Sequence, residues 1–90
     1  MKDGITETPS SPPQLRIEAL DAARRISLLS PRERQVLDGV TEGRSSKVIA
    51  HNLGISARTV EVHRTRLVNR LDVRTVAEAI RLLTLASLIT

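Results

Sequence analysis

The sequence predicts an all-α fold, and three observations carry that prediction. Apolar residues recur at helical spacing over runs too long for strands. Ser or Thr stands in N-cap position before four of these runs, at Ser30, Ser45, Ser56 and Thr75. The 90 residues also contain no Phe, Tyr or Trp, so the core must be Leu, Ile, Val and Ala, the usual filling of a small helical domain. The expected architecture is a four-helix domain over residues 30–90, preceded by a linker helix at 15–29 and a disordered leader at 1–14.

Residues 1–14 are rich in Pro, Ser and Thr and almost free of apolar side chains, which predicts the leader. Across 15–29, Leu15, Ala19, Ala22, Ala23 and Ile26 share one helical face, and Asp21 can pair with Arg25 one turn on. Ser30, Pro31 and Glu33 then form a capping box with proline at the first helical position. That opens a helix over 31–42, with Val36, Leu37 and Val40 inward and Gly43 as a left-handed cap. Ser45 caps a shorter helix over 46–53, with Val48, Ile49 and Leu53 inward and Gly54 at its end. The turn Gly54-Ile55-Ser56 joins it to the next helix, the spacing of a helix-turn-helix.

The stretch SARTVEVHRTR at 56–66 pulls two ways, since Thr59 to His63 alternate like a half-buried strand. Length settles the conflict. Val60, Leu67 and Leu71 lie within about 40° of one another on a helical wheel, and the pattern persists from 57 to 71. A helix there leaves Val62 as an anomaly, apolar and opposite the core. Thr75 and Glu78 make a second capping box for a helix over 76–89, in which only Glu78, Arg81, Thr84 and Ser87 are polar. One stripe about 100° wide suffices for a single core. A helix this apolar is therefore expected to cover a second surface, most economically that of a second copy, with Ile80, Leu83 and Ser87 in the homodimer contact.

Composition narrows the function. With no cysteine, a disulfide framework is excluded and a structural zinc site has no ligand set. His51 and His63 lack converging carboxylates, and no Gly-rich phosphate loop, nucleophile elbow or paired catalytic acid is present. No enzyme, metal or cofactor is expected. No apolar run approaches the roughly 18–20 residues that span a bilayer, and MKDGITETPSSPP lacks the apolar core of a secretory signal; a soluble intracellular protein without membrane contact is expected.

Net charge is +4, and its distribution points to a polyanion. Residues 1–30 are neutral, whereas 44–74 carry seven basic side chains (Arg44, Lys47, Arg58, Arg64, Arg66, Arg70, Arg74) against Glu61 and Asp72. The lack of aromatics removes the stacking platforms that RNA and single-strand binders use, which favours duplex DNA. In helix 57–71 the outward arc is Arg58, Glu61, Val62, Thr65, Arg66 and Asn69. Glu accepts from cytosine N4, Val and Thr methyl groups meet the thymine methyl, and Arg reads guanine or holds phosphate. The helix N-terminus near Ala57 and Arg58 favours a phosphate, and Arg44 and Lys47, at the start of the preceding helix, can hold the flanking backbone. A solvated face is the plain alternative, and Val62 is the residue that argues against it.

These residues carry a resemblance. From "LSPRERQVL" through "KVIAHNLGIS" to "TVEVHRTRL", in order and without gaps, about residues 28–88 closely resemble the LuxR/FixJ/NarL-type DNA-binding domain. Residues 20–37 look most like FixJ-type response regulators. The resemblance implies a scaffold helix at 46–53, a recognition helix at 57–71 for the major groove, a fourth helix for dimerisation, and transcriptional regulation at promoter DNA in the bacterial cytoplasm. By position, Glu61, Val62 and Thr65 match base-facing sites, while Lys47, Arg58, Thr59 and Arg66 match or neighbour phosphate-facing ones. NarL-type relatives carry lysine where Glu61 and Thr65 stand, so their operator sequence does not transfer.

The phosphoacceptor domain usual in such regulators is larger than this whole chain. The expectation is therefore an effector domain without a receiver, excised or naturally sensorless; the second is controlled by its own concentration through dimerisation, or by a partner such as RNA polymerase or another regulator. Two rivals remain. The promoter-reading end of a sigma factor has a similar helix-turn-helix but usually stops soon after its recognition helix. A helical adaptor that binds protein through 76–89 is indifferent to DNA and to salt.

Overall fold

The computed structural model describes residues 13–89, and among these it contains five α-helices and no strand. They are α1 (Pro13–Ile26), α2 (Pro31–Thr41), α3 (Ser46–Leu53), α4 (Ala57–Leu71) and α5 (Val76–Ala86). Hydroxyl caps start four of them. Ser30 Oγ accepts the Glu33 N–H at 3.1 Å, and Glu33 Oε1 accepts the Ser30 N–H at 2.9 Å, so the capping box is complete. Ser45, Ser56 and Thr75 accept from Val48, Thr59 and Glu78 N–H at 3.3, 3.0 and 3.1 Å. The second box closes differently: Glu78 Oε1 takes the N–H of Arg74 at 2.8 Å, one residue before the cap.

Three helices end in the left-handed region, at Gly43 (φ +82°), Gly54 (φ +69°) and Asp72 (φ +56°). Behind them the N–H groups of Arg44, Ile55 and Val73 reach back to the carbonyls of Gly39, Ala50 and Val68 at 3.0, 3.0 and 3.1 Å. This closure satisfies carbonyls that a bare helix end leaves orphaned. Asp72 adopts it despite its Cβ, at a cost that its surroundings must cover.

Two helices differ from the sequence expectation by more than one residue. α1 runs over 13–26 rather than 15–29, taking in Pro13 and Gln14; the rest of the expected leader lies outside the described residues. It stops where Ser27 Oγ donates back to the Arg24 carbonyl at 2.6 Å. α5 stops at Ala86 rather than 89, where Ser87 Oγ donates to the Thr84 carbonyl at 2.6 Å, leaving Leu88 and Ile89 exposed. In both places a serine side chain competes with the backbone ladder.

Val36 and Leu37 of α2, Ile49 and Ala50 of α3, and Val60, Leu67 and Leu71 of α4 form one cluster with Ala22, Ile26, Ala79 and Ala86. α2 and α3 pack on α4, while α1 packs chiefly on α5. Part of the apolar surplus of α5 thus finds its partner in the same chain. Val48, expected inward, is 45% exposed. Ile49, Ala50 and Leu53 occupy the core-facing arc of α3, and the 100° step per residue turns Val48 away from it.

α2 and α3 meet at Gly39, where an added Cβ would stand 2.7 Å from Cγ1 and 2.9 Å from Cδ1 of the buried Ile49. Helix propensity favours Gly39→Ala by about 1 kcal/mol, but overpacking opposes it by about 1–3 kcal/mol. The expected net result is a loss of about 1 kcal/mol in urea denaturation. A gain in stability would show that α3 can move off α2 freely.

Candidate nucleic-acid interface

α4 divides cleanly into two faces. Val60, Leu67 and Leu71 are wholly buried, whereas Arg58, Glu61, Val62, Thr65, Arg66 and Asn69 are all exposed. The apolar Val62 is 41% exposed between polar neighbours. An outward arc of cation, carboxylate, methyl, hydroxyl and amide offers each kind of contact that a base edge or a phosphate can use.

This face is held by two clamps that the sequence pattern did not reveal. Arg70 of α4 donates through Nε to Glu33 Oε1 at 2.8 Å and through Nη2 to Oε2 at 3.3 Å, a forked pair with a carboxylate that is 2% exposed. Glu33 therefore serves its own helix cap and the α2–α4 contact together. Burial pushes its carboxyl up, but hydrogen bonds from Ser30 and Arg70 and the Arg70 charge outweigh this and leave it below its ordinary value. The second clamp comes from α1. Arg25 Nη2 donates to the Leu71 carbonyl at 2.6 Å and to the Asp72 carbonyl at 3.2 Å, while Asp21 Oδ2 lies 3.6 Å from Arg25 Nη1.

Several of the cations are committed within the fold. On the scaffold, Arg24 pairs with Asp21 at 2.6 Å and Arg34 with Asp38 at 3.0 Å. Arg44 pairs with Glu42 at 2.7 Å, so this expected phosphate holder is already neutralised by a neighbour. Arg70, counted among the cations of the basic segment, is committed to Glu33. Lys47, Arg58, Arg66 and Arg74, like Arg32 on α2 and Arg81 on α5, have no ion-pair partner among the described residues. Lys47, Arg58 and Arg66 are the remaining cations at the expected phosphate positions. Thr59 is half-buried, and its hydroxyl lies 2.9 Å from that of Ser56. Since Ser56 Oγ also accepts the Thr59 N–H, one hydroxyl proton of this pair remains available to an anion.

Glu61 is positioned rather than loose. Ser46 Oγ donates to its Oε2, and Arg64 Nε lies 3.5 Å from its Oε1. Ser46, at the first position of α3, escaped the sequence reading because no local pattern marks a serine that serves a residue fifteen positions away. A carboxylate has about four acceptor sites, so these contacts orient Glu61 without exhausting it. Elsewhere, Ile80 and Leu83 are half-buried against the core and Ser87 is exposed; Leu83 and Ser87 line an open cleft of about 290 Å³ with Ala23, Ile26, Ser27 and Arg34. His63 is half-buried with its Nδ1 inside the protein and unpartnered. Among the described residues no cluster of His, Cys, Asp and Glu converges on a metal site, and no helix is long and apolar enough to cross a membrane.

The geometry agrees with known proteins. A family model described as bacterial regulatory proteins, luxR family, matches residues 27–83. The transcriptional regulatory protein FixJ of Bradyrhizobium diazoefficiens is 44% identical over 64 residues, covering 71% of this chain and 31% of that protein. FixJ of Rhizobium meliloti is 42% identical over 65 residues, 72% of this chain and 32% of its own length. The crystal structure of full-length FixJ from B. japonicum superposes with a TM-score of 0.76 at 36% identity, covering 92% of this chain and 40% of that one. The chain thus spans about a third of the length of the FixJ relatives it matches. Their shared part is a DNA-binding transcription-regulator domain, not an enzyme. On its helix-turn-helix, its caps and this match over most of its length, the chain belongs to the luxR family of bacterial regulatory proteins.

Proposed function

We propose that the chain is a sequence-specific regulator that lays α4 in the major groove of duplex DNA. Glu61, Val62 and Thr65 face base edges; Lys47, Arg58, Thr59 and Arg66 hold phosphates; Arg44 joins them by exchanging Glu42 for a phosphate. The observation that carries this reading is the outward arc of α4, where Val62 stands 41% exposed among polar neighbours with the unpaired cations Lys47, Arg58 and Arg66 around it. A second copy binds through α5 at Ile80, Leu83 and Ser87, which calls for two half-sites about 10 base pairs apart. RNA polymerase or another regulator is the partner such a DNA-bound dimer would address, in the cytoplasm.

Electrophoretic shift of duplexes selected from a random pool tests the reading. Binding should weaken steeply between about 50 and about 200 mM salt as counterions are released. Lys47→Ala should weaken all sequences alike and lower the salt slope by about one. Glu61→Ala and Val62→Ala should instead change base preference, by about 1–3 kcal/mol where a good contact is lost. Equal, sequence-blind losses from all three variants would mean that this face reads no base. Indifference to salt, or no shift, would favour the protein adaptor.

A further inference from the structure

We propose that Arg25 is a positioning residue for DNA binding, through which α1 forms part of the DNA-reading unit. The inference rests on the reading of α4 as the recognition helix. The family match begins at residue 27, so α1, which ends at Ile26, lies outside it.

Four orphan carbonyls end α4, those of Val68, Asn69, Arg70 and Leu71. The turn at Asp72 answers two of them: Val73 N–H reaches Val68 at 3.1 Å and Asp72 N–H reaches Asn69 at 3.1 Å. Arg25 answers the Leu71 carbonyl from another helix, and its Nη2 also reaches the Asp72 carbonyl. A cation at a helix C-terminus gains from the helix dipole as well as from the hydrogen bonds. The same contact steadies Asp72, the one non-glycine residue with positive φ among those described. Asp21, one turn before Arg25 on α1, lies 3.6 Å from its other guanidinium nitrogen. Arg25 is also the polar link between α1 and the reading helix, beside the core packing of Ala22 and Ile26, while α1 packs chiefly on α5. On α4, Glu33–Arg70 fixes the flank and Arg25 fixes the end, so the two contacts together set the tilt at which the outward arc meets a groove.

Arg25→Met keeps the aliphatic stem and removes the donors; Arg25→Lys restores a cation with a less suitable geometry. Binding is measured by fluorescence anisotropy on a duplex selected with the wild-type chain, at a temperature where circular dichroism shows each variant folded. Arg25→Met should bind about tenfold more weakly, the size of one lost charge-assisted hydrogen bond. Arg25→Lys should recover part of that loss and bind about threefold more weakly than wild type. Amide exchange should quicken in residues 68–74, and the dependence of binding on salt should keep its wild-type slope. If Arg25→Met does not fold, the comparison is made on Arg25→Lys, which should then bind severalfold more weakly with the same local exchange.

Binding within twofold of wild type, despite a lowered melting temperature, would reduce Arg25 to a purely structural role and overturn the proposal. A salt slope lowered by about one charge would overturn it too, by showing direct phosphate contact. Failure of the wild-type chain to select any duplex would instead refute the reading of α4 itself.

Discussion

Arg70→Ala is expected to lower the unfolding free energy by about 3 kcal/mol, the low end for breaking a buried ion pair. The low end applies because Arg70 is half exposed while Glu33 is buried: removing the arginine strands a carboxylate at 3% side-chain exposure. Urea denaturation at neutral pH measures the loss, and a change under about 0.5 kcal/mol, the range of ordinary surface substitutions, would show that water replaces the guanidinium freely. The pH dependence carries a definite sign. Glu33 has a folded pKa below its ordinary value of 4.5, so its contribution is present above that pH and is lost as pH falls through the lowered folded value. Glu33→Gln should therefore flatten this part of the acid-side decline.

Leu67→Ala is expected to cost about 2–5 kcal/mol, because Leu67 is wholly buried in the contact of α4 with the rest of the core. A core of this size rarely supplies more than about 3–5 kcal/mol, so the variant should be largely unfolded or molten at room temperature. Val62→Ala, five residues away on the same helix, should change stability by less than about 0.5 kcal/mol while altering DNA selection. This opposition separates folding from reading within one helix. Comparable stability losses from both variants, read by thermal melting, would place Val62 in the core and remove it from the interface.

The elements that came through intact from the sequence are those whose signals are local. A cap and a terminal glycine bracket α3, and α3 and α4 occupy 46–53 and 57–71 as their pattern predicts. The ends of α1 and α5 are not legible in the sequence, because an apolar run does not say where Ser27 or Ser87 will turn on the backbone. The exposure of Val48 is hidden for a related reason: in eight residues, apolar character alone fits more than one inward arc. The exposed face of α4 was legible because it is the complement of a long, regular core stripe. What makes that face usable was not legible. Glu33–Arg70, Arg25–Leu71 and Ser46–Glu61 join residues 37, 46 and 15 positions apart. Such pairs follow from how the helices pack, and no spacing within either partner segment announces them. The same holds for α5, whose apolar surplus pointed to a second surface without revealing that α1 supplies part of it.

If the outward arc of α4 enters the major groove, a cleavage reagent tethered to that arc cuts the DNA there. Because the chain contains no cysteine, Asn69→Cys, at the edge of that arc, provides a unique attachment point for an iron–EDTA cleavage reagent. Gln14→Cys on α1 provides the control. On a selected duplex, the reagent at residue 69 should cut both strands at focused positions bordering one major groove, and the reagent at residue 14 should leave that groove uncut. Focused cutting from residue 14 with none from residue 69, while both labelled proteins still bind, would place α1 and not α4 in the groove.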